Sequence, residues 1–419
     1  MNNTIFEISL AGLIIYTSWV YLLIIFGQKS TKIDSSILVK DLQLFILIPA
    51  LNEAGVIENT MRMFVKSTRN LPMINMVIID DASTDATATI VNNFIQSHPN
   101  SRISLLRRHA PNAQLGKGTA LNWAFRQIIQ QNLASKANLI CGVLDADAYM
   151  TSKGYKKVLQ YFSANPELAL LQTRVAMIEK HNWLQIMQDI EFTVVNYWIQ
   201  NLRNRISNAA ASGNGQFIRV SEVDSLQPWG NALLEDFEFS TRFLLKGKKT
   251  IFTGDIVVYQ EAVDKVLPFI KQRTRWTQGG LDCLFSYWPK ILASNFISRT
   301  AKVEMSFYMM IPFITLITGI ANILTFSYIT LNADDYWQLF VVLIMVNLAL
   351  NIYIAFLYVK LANYRNWMIL SIIVLTLVFY NYLLYPVLVM AFYKKISGQH
   401  TWVKTVHGKA TVTQENSQN

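Results

Sequence analysis

The nine residues Leu139–Asp147 read LICGVLDAD and pass from an apolar run into two carboxylates. The run Leu139–Leu144 is typical of a buried β-strand. Asp145 and Asp147 follow where the strand ends, and two carboxylates spaced in this way can converge on one divalent cation. Magnesium and manganese prefer such oxygen ligands together with substrate phosphates. The stretch therefore predicts a strand that leads into a metal and phosphate site.

Similar strands recur upstream and alternate with helical stretches as far as about Tyr259. The predicted strands are Leu44–Ile48, Met76–Ile79, Ile103–Leu106 and Leu139–Leu144, and the predicted helices are Val56–Ser67, Ala86–Ile95 and Thr119–Gln131. This alternation predicts an α/β domain with a mostly parallel sheet and helices on both faces. Ligands bind beyond the carboxyl ends of the strands in such sheets.

Further acidic groups follow the first two predicted strands. Asp80 and Asp81 end the second strand, and helix capping does not explain two adjacent carboxylates. We expect them to bind a cation, an amide edge or a ribose hydroxyl. Glu53 follows the first strand, where it either starts a helix or meets a nucleotide; taken alone, the pattern favours the helix start.

Two other clusters each have a structural and a functional interpretation. Lys117, in Gly116–Thr119, could hold a phosphate together with backbone amides, although the segment is too short for a P-loop and an exposed turn explains it equally well. Glu235 and Asp236 begin the predicted helix Glu235–Lys246, where the helix dipole alone favours acids. The functional alternative makes Asp236 a general base that takes a proton from an incoming hydroxyl.

The segment Gln272-Arg273-Thr274-Arg275-Trp276 places Gln272, Arg275 and Trp276 on one face of a helix. Arg275 can pair with a diphosphate, and Trp276 offers a flat surface for a sugar ring. The alternative is an amphipathic helix on the membrane, with arginine on lipid phosphates and tryptophan in the interface.

The composition indicates an integral membrane protein with a substantial soluble part. Of 419 residues, 52% are hydrophobic and only 15% charged, and the formal net charge is +10. The excess of positive charge indicates either contact with anionic lipid next to the membrane spans or attraction of anionic substrates. No basic run is interleaved with aromatic residues, which argues against nucleic-acid binding. Two cysteines, Cys141 and Cys283, form neither a disulfide framework nor a zinc site.

Hydropathy predicts a membrane anchor before the α/β domain. The uncharged segment Ile8–Phe26 is long enough to span the hydrocarbon, and it lacks the basic n-region and cleavage site of a signal peptide. Glu7 precedes it, whereas Lys29 and Lys32 follow it. The positive-inside rule therefore places the next segment in the cytosol.

The charge rule and the span count disagree at the C-terminal end. Three long apolar stretches follow Trp288, at about Met305–Tyr328, Trp337–Val359 and Trp367–Tyr393. Three spans would leave the tail outside, but the tail is basic and should stay inside, as judged from Lys394, Lys395, Lys404 and Lys409. Either one stretch is re-entrant or interfacial, or the charge rule fails here.

In their order along the chain, these clusters resemble the family 2 glycosyltransferases of the GT-A fold. Within that family the chain resembles the processive membrane synthases of cellulose, hyaluronan, chitin and poly-N-acetylglucosamine, over roughly Leu44–Gly280. The resemblance implies that Asp80 and Asp81 lie at the nucleoside of a UDP-sugar. It also implies that Asp145 and Asp147 are the Asp-x-Asp motif, with Asp147 the stronger metal ligand. Glu53, Lys117 and Asp145 join the predicted donor site.

The same resemblance assigns the acceptor side. Asp236 matches the last acid of the Thr-Glu-Asp motif, the catalytic base, with Glu235 beside it. The glycine-rich Ser212–Gly215, including Gly213, lies near the acceptor, and Trp402–Thr405 is also similar to a segment of these synthases. Gln272, Arg273, Arg275 and Trp276 match the Gln-x-x-Arg-Trp motif at the diphosphate and acceptor sugar. The chain departs from the family pattern at two positions. Leu234 stands where the Thr-Glu-Asp motif has threonine, and Ala82 stands where a glycine frequently follows the Asp pair.

The predicted organisation has five parts. They are an anchor (1–30), a cytosolic GT-A domain (40–260), interfacial helices with the Gln-x-x-Arg-Trp motif (261–303), a C-terminal transmembrane region (304–395) and a polar tail (396–419). A single N-terminal span is fewer than many such synthases have, so an accessory subunit or a homo-oligomer is expected if a complete export channel is needed.

Three functions are compatible with the sequence. The favoured one is an inverting transferase of the plasma membrane that uses Mg²⁺ or Mn²⁺ to polymerise a sugar from a UDP-sugar into a β-linked, poly-N-acetylglucosamine-like polysaccharide. The second is a non-processive transferase that glycosylates a lipid such as a polyprenyl phosphate or diacylglycerol. The third is a non-enzymatic membrane transport or interaction protein, against which the intact set of acids argues.

Overall fold

The computed structural model describes residues 3–27, 30–34, 36–39, 41–131, 135–225, 227–230 and 232–398. Of the positions used for the charge and motif predictions above, Lys29, Lys404, Lys409 and the segment Trp402–Thr405 lie outside these residues.

One eight-stranded sheet forms the centre of the catalytic domain, in the order β3-β2-β1-β4-β7-β6-β8-β5. The strands are β1 Gln43–Ala50, β2 Ile74–Asp80, β3 Ile103–Arg107, β4 Leu139–Val143, β5 Tyr149–Met150, β6 Leu168–Met177, β7 Gln216–Arg219 and β8 Lys249–Gln260. Strands β1 to β4 run parallel to one another, and β6 runs parallel to β8. Only β7 and β5 pair with their neighbours in the antiparallel direction. The prediction of a mostly parallel sheet is therefore confirmed.

Helices cover both faces of this sheet and extend beyond it. They are α1 Asn3–Phe26, α2 Ile57–Thr68, α3 Thr87–Ser97, α4 Lys117–Gln131, α5 Ser152–Ala164, α6 Trp183–Ile190, α7 Tyr197–Arg205, α8 Glu235–Leu245, α9 Val266–Ala293, α10 Arg299–Leu331, α11 Ala333–Ala362, α12 Trp367–Tyr382 and α13 Leu384–Ile396. A π-helical turn, Glu191–Asn196, joins α6 to α7. The four predicted strands and the four predicted helices of the catalytic domain are all present, with ends that differ by at most two residues.

Alternate side chains of the central strands enter two separate cores. Ile46 and Ile48 of β1 pack with Phe64 of α2 on one face of the sheet. Leu47, between them, packs with Phe125 of α4 on the other face. Because successive side chains of a strand point to opposite faces, a wholly apolar strand such as β1 needs helices on both sides.

Among the described residues, three helical stretches are long and apolar enough to cross a membrane, namely Arg299–Leu331, Asp334–Ala362 and Trp367–Ile396, the last of which comprises α12 and α13. Helix α1 is also strongly apolar and lies against α10. Phe6 near its start stacks on Tyr328 with ring centroids 4.5 Å apart, and Trp19 near its end contacts Phe307 at 4.0 Å. The two helices therefore run antiparallel, side by side.

The segment that follows α1 is bonded directly to the catalytic domain. The carbonyl of Thr31 accepts hydrogen bonds from Tyr161 Oη at 2.9 Å and from Thr253 Oγ1 at 3.0 Å. The hydroxyl of Ser30 accepts one from the backbone N–H of Gly254 at 2.7 Å. Ser30 and Thr31 are thus fixed to the α/β domain by hydrogen bonds.

Helices α12 and α13, which follow one another after a break at Leu383, lie along the catalytic domain. Trp183 of α6 donates from Nε1 to Thr376 Oγ1 at 2.8 Å, and Tyr380 packs on Phe269 of α9. Near the end of α13, Lys395 forms an ion pair with Asp282 of α9. This pair of helices therefore contacts the catalytic domain over most of its length.

Candidate active site

The loop after β4 presents Asp145 and Asp147 at the carboxyl edge of the sheet, as predicted. The backbone N–H of Asp145 donates to Asn214 Oδ1 at 3.3 Å, and Asp147 Oδ2 accepts from the N–H of Glu261 at 3.2 Å. Burial, followed by the nearby Asp145 and Glu261 carboxylates, raises the pKa of Asp147 to about 7. Burial and the neighbouring acids thus disfavour the charged form of Asp147, which a bound cation would favour.

Lys117, the first residue of α4, connects this loop to the acids of α8. Its Nζ lies 2.7 Å from Asp145 Oδ1 and 3.8 Å from Glu235 Oε1. Burial opposes its charge, but the carboxylates of Asp145 and Glu235 outweigh that effect and hold the pKa of Lys117 above its usual value. The exposed-turn interpretation is therefore wrong for this side chain, which is a fixed cation between the two acidic clusters.

Asp236 lies in the first turn of α8, and both it and Glu235 are buried. Leu234 occupies the N-cap position and makes no side-chain cap bond, so the hydrogen bond that a motif threonine oxygen would accept from a backbone N–H of the first turn is missing. Burial first, and then the charge of Glu235, raise the pKa of Asp236 to about 7. Gly213 has a φ of +75°, and a Cβ at this position would lie 3.3 Å from Asp236 Oδ2. Glycine therefore lets the backbone of the glycine-rich segment pass close to the acid.

The acids of the first two strands are placed differently from each other. Glu53 and Asp81 line the cavity, and Asp81 pairs with Arg108 at 2.7 Å. Asp80 is fully buried, where its carboxylate accepts from Arg107 Nε at 2.9 Å and from the backbone N–H of Ser83 at 3.0 Å. Asp80 therefore stabilises the end of β2 and the turn that follows it. Its neighbour Asp81 is the acid that lines the cavity.

Helix α9 carries the Gln-x-x-Arg-Trp segment, in which Gln272, Arg275 and Trp276 line the cavity. Arg273 also borders it, but its Nη2 pairs with Glu191 Oε2 at 2.9 Å and its guanidinium lies 4.3 Å from the Trp276 ring. Within the segment, Arg273 therefore supports Trp276. The Nε atoms of Arg273 and Arg275 are both buried without a partner among the described residues.

Several residues of the site have no motif that reveals them in the sequence. Glu191 of the π-helical turn accepts from both Arg273 and Tyr380 of α12. Arg203 of α7 pairs with Glu304 of α10. These partners lie more than 80 positions apart in sequence, so only the tertiary structure brings them together.

The residues present fit a magnesium or manganese ion. Within the described part of the chain, no three His, Cys, Asp or Glu side chains form a metal cage. Mg²⁺ is usually bound by one or two carboxylates together with substrate phosphates, and it keeps several waters. Asp145 and Asp147 match this pattern, with the donor diphosphate supplying further oxygens.

One cavity of about 510 Å³ contains these groups and continues to the apolar helices α10 and α13. Its catalytic end is polar and includes Asp147, Asp236 and Arg275. Its far end is lined by mostly apolar side chains of α10 and α13, namely Met309, Ile311, Pro312, Thr315, Leu384, Val387 and Leu388. A molecule in this cavity could therefore touch both the acids and the apolar helices.

Comparison with known proteins agrees with this geometry. The model of a family described as Glycosyl transferase family group 2 matches residues 141–393. A mannosyltransferase from Pyrobaculum calidifontis, solved with GDP-Man and Mn²⁺, is similar with a TM-score of 0.60 at 16% identity, over 95% of this chain and 98% of that one. This likeness confirms the GT-A fold.

The curated relatives include two kinds of synthase with different products in their names. A beta-monoglucosyldiacylglycerol synthase of Synechocystis sp. is 29% identical over 248 residues, which are 59% of this chain and 49% of that protein. A poly-beta-1,6-N-acetyl-D-glucosamine synthase of Staphylococcus epidermidis is 25% identical over 325 residues, which are 75% of this chain and 73% of that protein. The chain spans about half the length of the monoglucosyldiacylglycerol synthases that it matches.

Proposed function

The chain belongs to glycosyl transferase family group 2, and on that basis we propose that it is a membrane-bound inverting transferase that takes its sugar from a UDP-sugar. Asp236 carries the proposal, because it is a buried carboxyl with a pKa of about 7 in the same cavity as the Asp-x-Asp pair. A general base works best when its pKa is close to the working pH. The catalytic domain is proposed to face the cytosol.

The proposed reaction is a single displacement at the first carbon of the sugar. The acceptor oxygen attacks this carbon from the face opposite the diphosphate, the bond from the carbon to the diphosphate oxygen breaks, and UDP leaves with the electron pair. Asp236 takes the proton of the acceptor hydroxyl. A cation held by Asp145 and Asp147 would stabilise the charge of the departing diphosphate. Lys117 and Arg275 add fixed positive charge, and Asp81 and Glu53 bind the nucleoside side.

A lipid acceptor is supported by the apolar end of the cavity. Met309 and Pro312 of α10 and Leu384 and Val387 of α13 line the same cavity as Asp236. An acyl chain gains free energy from such walls, at roughly 0.8 kcal/mol for each buried CH₂ group, whereas a hydrated glycan does not. We therefore propose a membrane lipid with a hydroxyl group as the acceptor.

Polysaccharide synthesis, which the sequence favours, is the second candidate. Its support is Trp276, whose half-buried ring lines the cavity and meets Phe192 edge-on at 6.2 Å. An indole fixed in this way offers a flat surface for the terminal sugar of a growing chain. The third hypothesis, a non-enzymatic protein, is set aside because the chain belongs to a family of enzymes.

Product analysis separates the two acceptors. The purified full chain is incubated with each of a panel of labelled UDP-sugars, with Mg²⁺ or Mn²⁺, in micelles with and without dioleoylglycerol. We expect a solvent-extractable product that carries one or a few sugars and requires the lipid. A polymer of high mass, cut by linkage-specific glycosidases, would support the second candidate instead. Absence of turnover with every UDP-sugar would contradict the proposed function.

The Asp236→Asn variant tests the base directly. Asparagine keeps the shape of the side chain but cannot accept the proton, so we expect kcat to fall by about 10²–10⁴-fold. Binding of UDP should change less than threefold, as measured by calorimetry. The matched control is Asp224→Asn, since Asp224 is exposed and pairs with Lys246 outside the cavity. A variant at Asp236 that keeps full activity would show that another group is the base.

A further inference from the structure

Glu191, the first residue of the π-helical turn, has one bonded and one unbonded carboxylate oxygen. Its Oε2 accepts from Arg273 Nη2 at 2.9 Å and from the hydroxyl of Tyr380. Its Oε1 accepts from none of the described residues, and it is not among their enclosed polar atoms without a partner. The side chain is 31% exposed and lines the cavity. Oε1 is therefore an acceptor that a molecule in the cavity can reach.

Two buried donors hold this carboxylate in place. Arg273 of α9 is 6% exposed and Tyr380 of α12 is 4% exposed, so both approach it from the interior of the protein. Because the side chain is already fixed, a ligand that binds Oε1 does not have to order it first. The carboxylate is thus prepared for a ligand before the ligand arrives.

The charge of Glu191 determines what kind of group it receives. An ionised carboxylate only accepts hydrogen bonds, so its partner must be a donor such as a hydroxyl. The bond between a hydroxyl and a carboxylate is charge-assisted and stronger than a bond between two neutral groups. A phosphate at the same point would be repelled by the carboxylate. A hydroxyl of a substrate therefore suits this position better than a lipid phosphate does.

An aromatic ring lies beside Glu191. The Arg273 guanidinium that holds Glu191 is 4.3 Å from the centre of the Trp276 ring, and Phe192, the next residue after Glu191, meets that ring edge-on at 6.2 Å. Trp276 also lines the cavity. A sugar has an apolar face that can pack on an indole and hydroxyls at its edge that can bond to a carboxylate. Glu191 and Trp276 together therefore suit a sugar ring.

The number of hydroxyl groups distinguishes two kinds of lipid acceptor. A diacylglycerol has a single hydroxyl, which must reach Asp236 in order to react, so none remains for Glu191. A lipid with a sugar head group offers one hydroxyl to Asp236 and a second to Glu191. Its acyl chains can still contact the apolar walls of α10 and α13. The lining of the cavity therefore matches a glycolipid more fully than a diacylglycerol.

We propose that Glu191 and Trp276 bind the sugar head group of the acceptor, and that the preferred acceptor is a monoglycosyl diacylglycerol. A hydroxyl of the head-group sugar attacks the first carbon of the donor sugar, UDP leaves with the electron pair, and Asp236 takes the hydroxyl proton. The product carries two sugars. This inference rests on the proposed lipid-acceptor function; it names the class of lipid and assigns Glu191 as an acceptor-binding residue.

Initial rates with two matched acceptors test the inference. The full chain is assayed in a detergent without sugar groups, with Mn²⁺, a UDP-sugar that supports turnover, and either dioleoylglycerol or monoglucosyl dioleoylglycerol. We expect kcat/KM to be at least tenfold higher for the glycolipid. Glu191→Gln should lower this value about tenfold for the glycolipid and less than threefold for dioleoylglycerol, because its amide oxygen replaces Oε2 and its NH₂ group then faces the cavity. Loss of folded protein cannot change the ratio of the two values.

Two tyrosine variants show whether the fixed position of Glu191 matters. Tyr380→Phe removes one of the bonds to Glu191 and should lower the preference for the glycolipid about threefold. Tyr358→Phe is the matched control, since Tyr358 of α11 donates in the same way to Asp189 Oδ2 at 2.6 Å, and Asp189 is only 1% exposed. The control should keep the preference of the parent. Equal losses of preference in both variants would contradict the role of Glu191.

Three further results would overturn the inference. The parent could use dioleoylglycerol as well as the glycolipid, or it could use free cellobiose equally well, which would indicate a glycan acceptor. Glu191→Gln could instead raise the KM for the UDP-sugar at least fivefold in hydrolysis without lipid, which would place Glu191 at the donor. In each case turnover is still observed, so the transferase function stands. Absence of turnover with every acceptor and with water would contradict that function itself.

Discussion

Asp236 combines two properties that are difficult to hold together, since it is buried beside Glu235 and yet must be ionised to accept a proton. Its pKa of about 7 means that the acid form dominates below neutrality. We therefore expect kcat to rise about tenfold per pH unit from pH 5 to 7 and then to level off. The profile should be measured at saturating Mn²⁺, because Asp147 also has a raised pKa. A flat profile between pH 5 and 8 would contradict the assignment.

Ala82, the residue after the Asp pair, adopts a left-handed conformation with φ of +60°. An L-residue with a Cβ is disfavoured in this conformation by roughly 1–2 kcal/mol, and glycine is not. Ala82→Gly should therefore raise the free energy of unfolding by about 1 kcal/mol, as measured by thermal unfolding in detergent. Ala164→Gly, in the last turn of α5, is the control and should lower it slightly, because the alanine there is already helical.

At the scale of elements, α9 packs closely on the segment that leads into α8. A Cβ on Gly279 would lie 2.8 Å from the backbone N of Leu234, whereas one on the adjacent Gly280 would meet nothing within 4 Å. Gly279→Ala should therefore lower the free energy of unfolding by about 1–3 kcal/mol. It should also lower kcat, because the added methyl group displaces Leu234 and, with it, Asp236.

Gly280→Ala provides a matched control for that substitution. Both glycines lie in the interior of α9, so both alanines gain the same helix propensity, about 1 kcal/mol. The thermal midpoint of Gly280→Ala should stay the same or rise. Equal midpoints for the two variants would show that the contact with Leu234 does not constrain the helix.

The elements were predictable wherever local pattern and local chemistry agree. Strand β4 could be found because an apolar run ends at Asp145, and α8 because two acids open it. The contacts between distant segments could not be found in this way. Glu191 and Arg203 have no periodicity or motif, and their partners Tyr380 and Glu304 come from helices that the sequence shows only as apolar. Tertiary packing alone determines those pairs.

For the whole molecule, the contacts of α12 and α13 bear on the disagreement between the number of predicted spans and the positive-inside rule for the basic tail. The helical stretch from Thr376 to Lys395, interrupted at Leu383, is at most about 28 Å long, close to the thickness of the hydrocarbon, about 30 Å. If these helices crossed the membrane, Lys395 would lie on the opposite side from Asp282, with which it is paired. We therefore expect them to lie at the membrane surface, with Lys394 and Lys395 in the cytosol.

Cysteine labelling in sealed vesicles tests this topology. Ser397→Cys should react with a membrane-impermeant maleimide from the same side as Asp224→Cys in the catalytic domain, and Asp334→Cys in the first turn of α11 from the other side. The native Cys141 and Cys283 are buried and should give little background. Labelling of Ser397→Cys together with Asp334→Cys would indicate that α12 and α13 span the membrane.

The hydrogen bonds of Ser30 and Thr31 to the catalytic domain have a kinetic consequence. We expect α1 to anchor the chain in the membrane, so a domain joined this tightly to it should keep one height above the lipid surface and not swing out to collect molecules from solution. Encounters with the proposed lipid acceptor would then depend on lateral diffusion in two dimensions. The rate would follow the mole fraction of that lipid in the bilayer, and dilution with inert lipid would slow the enzyme even when the bulk concentration is unchanged.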